Sequence, residues 1–162
     1  MVDKVINVVI AGLGGQGVLK ASDILADAAF RHGMDVKKSE LHGMSQRGGS
    51  VASDVRFGER VFSPMVPRGQ ADYLVLLEAD QLEPNLHIMR QGGVVLQPSL
   101  IDQGRLNSRR SVNIAMLGVL SQYLGIDKEH WLAAITAALP PKLHQANLAA
   151  FELGQAAANA NR

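Results

Sequence analysis

The chain has 162 residues, of which 47% are hydrophobic and 19% charged, and its formal net charge is +1. This length and composition indicate one soluble globular domain, spanning 1–162, with a substantial core. The balanced charge argues against a nucleic-acid partner, because nucleic-acid-binding domains usually carry an excess of basic residues. No apolar run approaches the roughly 20 residues of a membrane span, and the early Asp3 does not fit a signal peptide. We therefore expect a cytoplasmic protein without membrane contact.

The chain contains no cysteine. Disulfides, thiolate nucleophiles and cysteine-ligated iron–sulfur clusters are therefore excluded within this chain. The histidines are too widely spaced for a local metal-binding motif, and no metal site is assigned. They are His32, His42, His87, His130 and His144.

Three short apolar runs predict the buried strands of a mainly parallel sheet. They are VINVVIA, YLVLLEA and GVVLQ. Helices are predicted from about Val18 to His32, over 80–91, over 111–125, over 128–139 with Asp127 as its cap, and from Lys142 onward. A β-hairpin is predicted over 51–63, with VASDVRF as its first strand, Gly58-Glu59 as its turn and RVFSP as its return. Together these elements predict a single three-layer α/β/α domain with a hairpin addition.

A glycine loop, GLGGQG, separates the first predicted strand from the first predicted helix. It fits the G-x-G-x-x-G pattern of Rossmann-type folds, in which backbone N–H groups and a helix N-terminus approach a phosphate. The candidate ligand or partner contacts are Gly12, Gly14, Gly15, Gln16 and Gly17. The loop is not a Walker A motif, since Val18-Leu19 stands where Lys-Ser/Thr should be.

A dinucleotide site also needs an acidic residue about 20 residues further on, at the end of a second strand. Asp35 and Glu40 are near that distance, but the surrounding MDVKKSEL is too polar for a buried second strand. The pattern therefore favours a tight strand-to-helix turn over an NAD site.

A polar, glycine-rich segment, ELHGMSQRGGSV, is the most unusual stretch of the chain. An arginine there could bind a carboxylate or phosphate through two parallel N–H groups. Alternatively, the segment is a solvated loop in which Arg47 pairs with a local acid such as Glu40, and the residues leave both interpretations open. The candidate contacts are Glu40, His42, Ser45, Gln46, Arg47, Gly48 and Gly49.

Three segments in this order, AGLGGQGV, SELHGMSQRGGSVASDVRFG and VFSPMVPRGQADYLVLLEA, resemble the gamma-type subunit of 2-oxoacid:ferredoxin oxidoreductases. The segment HGMSQRGGSV is most similar to the corresponding segment of the beta subunit of indolepyruvate oxidoreductase. The late PPKLHQANLAAFELG is similar to the family's closing helix, with Asn147, Phe151 and Gly154 in matching places. The resemblance covers nearly the whole chain, which is at the short end for such subunits, so we expect a peripheral loop to be missing.

The resemblance implies a small, cluster-free subunit that is colourless and inactive alone. The implied reaction is oxidative decarboxylation of an aryl-2-oxoacid such as indolepyruvate to an acyl-CoA, with electrons passing to ferredoxin. Because the chain lacks cluster ligands and a thiamine diphosphate motif, the resemblance implies that thiamine diphosphate, Mg²⁺ and iron–sulfur clusters lie in a larger partner subunit. Coenzyme A would be the co-substrate, and ferredoxin would be reached through the complex.

The resemblance makes the glycine loop and Arg47 candidates for contact with phosphate, substrate carboxylate or partner, and no residue is assigned a proton-transfer role. Two other functions remain as hypotheses: a stand-alone NAD-binding enzyme or sensor, and a purely structural or regulatory subunit.

Overall fold

The structure is a computed structural model that describes residues 4–42 and 49–161, except for the side chain of His42. The strands are β1 (Ile6–Leu13), β2 (Asp35–His42), β3 (Ser50–Gly58), β4 (Ala71–Leu76) and β5 (Met89–Leu96). The helices are α1 (Val18–Arg31), α2 (Leu82–Asn85), α3 (Val112–Ser121), α4 (Lys128–Ala138) and α5 (His144–Ala160), with short 3₁₀ turns between several elements. No helix in this described part of the chain is long and apolar enough to cross a membrane.

The five strands form one mixed sheet in the order β2-β3-β1-β4-β5. β1, β4 and β5 pair in parallel, whereas β3 runs antiparallel to both β1 and β2. β2 therefore points the same way as β1, and only β3 runs against the other four strands. The predicted α/β class is confirmed.

The two faces of the sheet are covered differently. Alternate residues of β1 separate them, since Val8 and Ile10 face one side and Val9 and Ala11 the other. The larger core lies between the sheet and α1, α3, α4 and α5. The smaller core lies on the opposite face, where residues such as Val66 and Leu82 come from an irregular segment and short helical turns. The second face is thus closed without a long helix.

Two local predictions were wrong. β3 matches the first arm of the predicted hairpin, but its partners are β2 and β1, and 59–63 forms no return strand. The segment MDVKKSEL, predicted to be too polar for a buried strand, contributes to β2, which is not buried. It is tolerated there because β2 is the edge strand and its residues, apart from the undescribed His42 side chain, are half-buried or exposed. The helix predicted over 80–91 is instead broken into α2 and two flanking 3₁₀ turns.

The segment 59–70 has no regular structure, and side chains of the neighbouring strands hold it against the sheet. Asp35 accepts a hydrogen bond from the backbone N–H of Val61 at 2.8 Å, and Asp54 accepts one from that of Val66 at 2.9 Å. The hydrogen bond from Val61 lowers the pKa of Asp35, whereas burial raises the pKa of Asp54. The segment is therefore fixed, although it leaves the Phe62 side chain 85% exposed.

The structure explains the residues of the closing helix, α5, that match the family pattern in the sequence. Gly154 lies against the backbone carbonyl of Ala115, and Gly118 lies against that of Phe151. A Cβ at either glycine would collide with backbone, so α3 and α5 approach more closely than side chains would allow. Asn147 is buried and donates to the carbonyl of Leu143 at 2.8 Å. These matching residues are therefore packing residues.

Asp54 gives a pH-dependent test of this fold. Asp54→Ala should destabilise the protein by about 1–3 kcal/mol, because the buried N–H of Val66 would lose its acceptor. Asp54→Asn should be milder, since an amide oxygen can still accept. Because folding raises the pKa of Asp54 above 3.8, its contribution to stability is complete below that value and is lost as the pH rises through the folded-state pKa.

Urea unfolding of both variants and the wild type over a pH series measures this effect. The stability of the wild type relative to Asp54→Asn should fall as the pH rises. A relative stability that rises with pH would contradict the assigned role of burial.

Candidate glycine-loop site

The glycine loop is a four-residue turn between the end of β1 at Leu13 and the start of α1 at Val18. Gly15 and Gly17 adopt positive φ angles of 91° and 82°. The side chain of Gln16 folds back so that its Oε1 accepts from the N–H of Leu13 at 2.7 Å. A side chain of the turn therefore accepts one of the hydrogen bonds that its own backbone can donate. The turn also places the N-terminus of α1 at the carboxyl edge of the sheet.

Close packing requires two of the glycines. A Cβ at Gly12 would lie 2.8 Å from Oε1 of Gln16 and 3.1 Å from Cβ of Leu77. A Cβ at Gly17 would collide with Nδ2 of Asn113, which donates to the Gly17 carbonyl at 3.2 Å. Gly15, by contrast, has open space where a Cβ would be, so a ligand or partner could approach its backbone there.

Gln16 also joins two strand ends. Its Nε2 donates to Oε2 of Glu78 at 2.7 Å, and Glu78 comes two residues after the end of β4 at Leu76. The motif predicted Gln16 as a contact residue, but sequence spacing gave no sign of its pairing with Glu78. The feature of the sequence that could have indicated Glu78 as a site residue is its position just after a predicted buried strand.

A cavity of about 340 Å³ lies beside the loop at the carboxyl ends of β1 and β4. We call it the glycine-loop pocket, and its lining residues are Gly15, Gln16, Leu77, Glu78, Gln103, Arg109, Arg110 and Val112. Arg109 and Arg110 come from the turn that precedes α3 and are exposed. Because its lining includes two arginines and one glutamate, the pocket has an excess of positive charge and suits an anionic ligand or partner group. Sequence analysis missed both arginines, since they lie over 90 residues from the loop.

A second cavity, of about 410 Å³, lies on the other side of the glycine loop, between Gly14 and Val51. There the N–H of Gly14 donates to the carbonyl of Gly49 at 2.9 Å. The glycine loop therefore contacts the end of the predicted polar segment, so the structure brings the two sequence motifs together.

The other candidates in that segment have different outcomes. Glu40 lies in β2 and accepts a hydrogen bond from Nζ of Lys38 at 2.6 Å, so its carboxylate already has a cation as partner. The backbone of His42 ends β2. Ser45, Gln46, Arg47, Gly48 and the side chain of His42 lie outside the described residues, and their predicted contacts stay predictions.

The sheet topology does not fit an NAD site. The neighbour of β1 on the side away from β4 is β3, which is antiparallel, so its carboxyl end lies at the opposite edge from the glycine loop. Asp35, at the start of β2, also lies at that opposite edge. On the side of β1 away from β4, the described residues therefore provide no adjacent parallel strand to carry the ribose-binding acid of a Rossmann site.

The chain matches the pyruvate ferredoxin/flavodoxin oxidoreductase family over residues 7–104 and 98–157. It belongs to that family, and the resemblance predicted from the motifs is confirmed.

Relatives and a solved structure give the same result. The chain is 33% identical to indolepyruvate oxidoreductase subunit IorB of Thermococcus kodakarensis and 32% identical to that of Pyrococcus horikoshii. Each alignment covers 96% of both proteins over 195 positions, more than this chain has residues, so each relative has residues without a counterpart here. The gamma subunit of a keto/oxoacid ferredoxin oxidoreductase from Geobacter sulfurreducens superposes with a TM-score of 0.80 at 25% identity, covering 96% of this chain and 99% of that one.

Gly17 and Asn113 provide a test of the loop geometry. Alanine at Gly15 or Gly17 should destabilise the protein by about 1–2 kcal/mol, because both positions have left-handed backbone. Gly17→Ala should be the more damaging, since its Cβ also meets Asn113. In an Asn113→Ala background the difference between the two glycine variants should shrink, which thermal unfolding of the six proteins would measure. An unchanged difference would show that Asn113 does not restrict this position.

Proposed function

We propose that this chain is the small subunit of a 2-oxoacid:ferredoxin oxidoreductase of the indolepyruvate type. The observation that carries the proposal is the match to IorB subunits at 33% and 32% identity over nearly the whole of both chains. A second observation supports it. The motif HGMSQRGGSV, which we associate with the indolepyruvate type, is present in full.

The composition limits what the chain contributes to the reaction. With no cysteine, it cannot hold an iron–sulfur cluster through thiolates. The carbanion chemistry of decarboxylation belongs to thiamine diphosphate, and we place that cofactor, its Mg²⁺ and the clusters in a larger partner subunit. The complex then passes electrons to ferredoxin, and this chain is inactive alone.

The part of the chain that we propose to contact ligand or partner is the glycine loop and its two flanks. On one flank lie Arg109 and Arg110, for which no hydrogen bond or ion pair of the side chains is found within the described residues. On the other flank lies Gly49, two residues after Arg47 in the sequence. The reacting species are anionic, namely a 2-oxoacid carboxylate and the phosphates of coenzyme A. The guanidinium groups of Arg109 and Arg110 would attract and orient such groups without transferring protons, and we propose the same role for Arg47 from its place in the sequence.

The shortening relative to IorB would leave this pocket open. The two segments matched to the family overlap at residues 98–104. These residues belong to the connection between β5 and α3, which also supplies Gln103, Arg109 and Arg110 to the pocket. We infer that the additional residues of the relatives are inserted there.

The two alternative functions predict different experimental results. A stand-alone NAD-binding protein should bind NADH tightly as the isolated chain, whereas the reversed β3 leads us to expect weak binding or none. A purely structural subunit would tolerate changes in the glycine-loop pocket without any loss of turnover in the complex.

Reconstitution tests the subunit assignment. The purified chain should be colourless and should not reduce a viologen dye with any 2-oxoacid. Coexpression with the larger thiamine diphosphate and iron–sulfur subunit should give a complex that reduces the dye with indolepyruvate and coenzyme A. Turnover by this chain without added protein would contradict the proposal, as would equal turnover by the larger subunit alone.

The arginines test the role of the pocket. Arg47→Ala and the double variant Arg109→Ala/Arg110→Ala should change the stability of the isolated chain by no more than about 0.5 kcal/mol, as is usual at surfaces. In the complex each should lower kcat/KM substantially or weaken assembly, and Arg47→Lys should restore only part of the loss, because an ammonium lacks the planar fork.

Lys142→Ala is the charge-matched control for Arg47→Ala, because each removes one positive charge and Lys142 is exposed in the 3₁₀ turn before α5. Size exclusion measures assembly, and dye reduction measures turnover. Wild-type assembly and turnover in both alanine variants would show that these arginines are solvated surface residues.

A further inference from the structure

Three side chains with metal-ligating atoms come together where α1 ends and α4 begins, away from the glycine-loop pocket. His32 is the residue that caps the C-terminus of α1, Asp127 is at the N-cap position of α4, and His130 lies in the first turn of α4. One ligand atom from each of the three lies within 4.8 Å of the other two. We propose that His32, Asp127 and His130 bind one divalent transition-metal ion of the zinc type.

The conformation of Asp127 supports a ligand role. An aspartate at an N-cap normally accepts a hydrogen bond from the next turn of the helix, but this side chain makes no capping bond. Its Oδ2 instead lies 3.9 Å from Nδ1 of His32. Because Asp127 makes no capping bond, its carboxylate can turn toward the imidazole. The backbone N–H of Asp127 also donates to Nδ1 of His32 at 3.5 Å, and an ion bound at this nitrogen would replace that long hydrogen bond.

The two imidazole rings are also suitably placed. The rings of His32 and His130 meet edge to face with their centroids 5.3 Å apart. Both side chains are about one-quarter exposed, at 25% and 26%, so packing limits their motion while solvent can still reach them. Two nitrogens and one carboxylate oxygen form a borderline donor set, which suits zinc, cobalt, nickel and copper better than magnesium or calcium.

The distances require a small adjustment. With bonds of about 2.0–2.1 Å, donors on a tetrahedral ion lie roughly 3.4 Å apart, which is somewhat closer than the separations here. Asp127 can provide the movement, because its side chain is 67% exposed. Three protein ligands leave a fourth position for water on this open side. The carboxylate also offsets part of the charge of the ion.

The site would join two helices that are distant in sequence. α1 and α4 pack side by side, and at the other end of this contact Nζ of Lys20 donates to the carbonyl of Ala138 at 3.3 Å. A bound ion would fix the opposite end, about 20 Å from the glycine loop, since a 14-residue helix spans roughly 21 Å. The proposal is therefore independent of the proposed function, and either can fail without the other.

The experiment uses the untagged full-length chain after removal of metals with a chelator. Cobalt(II) titration followed by visible absorption should saturate at one ion per chain, and zinc should displace the cobalt. The buried and unique Trp131, which follows His130, gives a second signal through quenching of its fluorescence by bound cobalt. Zinc should also raise the Tm of the wild type.

The variants His32→Gln, His130→Gln and Asp127→Asn should each weaken cobalt binding by about tenfold or more, since even the loss of an outer-shell partner costs roughly 10–100-fold. His87→Gln is the matched control, because His87 is exposed and outside the cluster, and it should bind as the wild type does. Asp127→Asn keeps the proposal testable if a histidine variant fails to fold. Absence of saturable binding, or equal binding by all the variants, would show that the three residues form only a histidine–aspartate contact.

Discussion

The direction of β3 is the constraint on which the rest of the structure depends. β3 lies between β2 and β1 and runs against both, so β2 ends and β3 begins at the carboxyl edge of β1. That edge is also where the glycine loop lies, and the bond from the Gly14 N–H to the Gly49 carbonyl joins the two. One reversed strand thus brings two motifs, separated in sequence by a helix and a strand, to a single place. It also removes the parallel strand that a dinucleotide site would need.

The glycine loop has a different role here from the one its pattern suggests. Because they lack a Cβ, Gly12 can pack against Leu77 and Gly17 against Asn113. The two glycines therefore allow close packing between β1, the end of β4 and α3. The side chain of Gln16 lies within the turn and binds Glu78. What remains accessible is Gly15 and the charged rim formed by Arg109 and Arg110. The chain therefore offers a positively charged surface beside a closely packed turn.

Sequence patterns could predict the elements whose periodicity reflects burial. β1 and β4 are apolar runs because both of their faces are covered, and α1 has an apolar stripe because one side packs on the sheet. β2 escaped prediction because an edge strand need not be apolar, and the partner of β3 escaped because strand pairing is a long-range choice. The 59–70 segment is held by single hydrogen bonds to Asp35 and Asp54, which leave no periodic signal.

The candidate site was predictable only in part, for the same reason. The glycine loop has a local pattern, whereas Glu78, Arg109 and Arg110 reach the pocket through the packing of distant elements. His32 and Asp127 are likewise 95 residues apart and meet only because α1 packs on α4. The family resemblance identified the class of protein because it depends on the order of motifs and not on their contacts.

We propose that the glycine loop and its flanks face the larger subunit or the ligand that they share. Hydrogen–deuterium exchange of this chain, free and within the reconstituted complex, would locate the protected surface. We expect slower exchange in the complex for the backbone N–H groups of 14–19 and 49–52, with little change in the outer turns of α5. Protection confined to other surfaces, with the glycine loop exchanging as it does in the free chain, would contradict it.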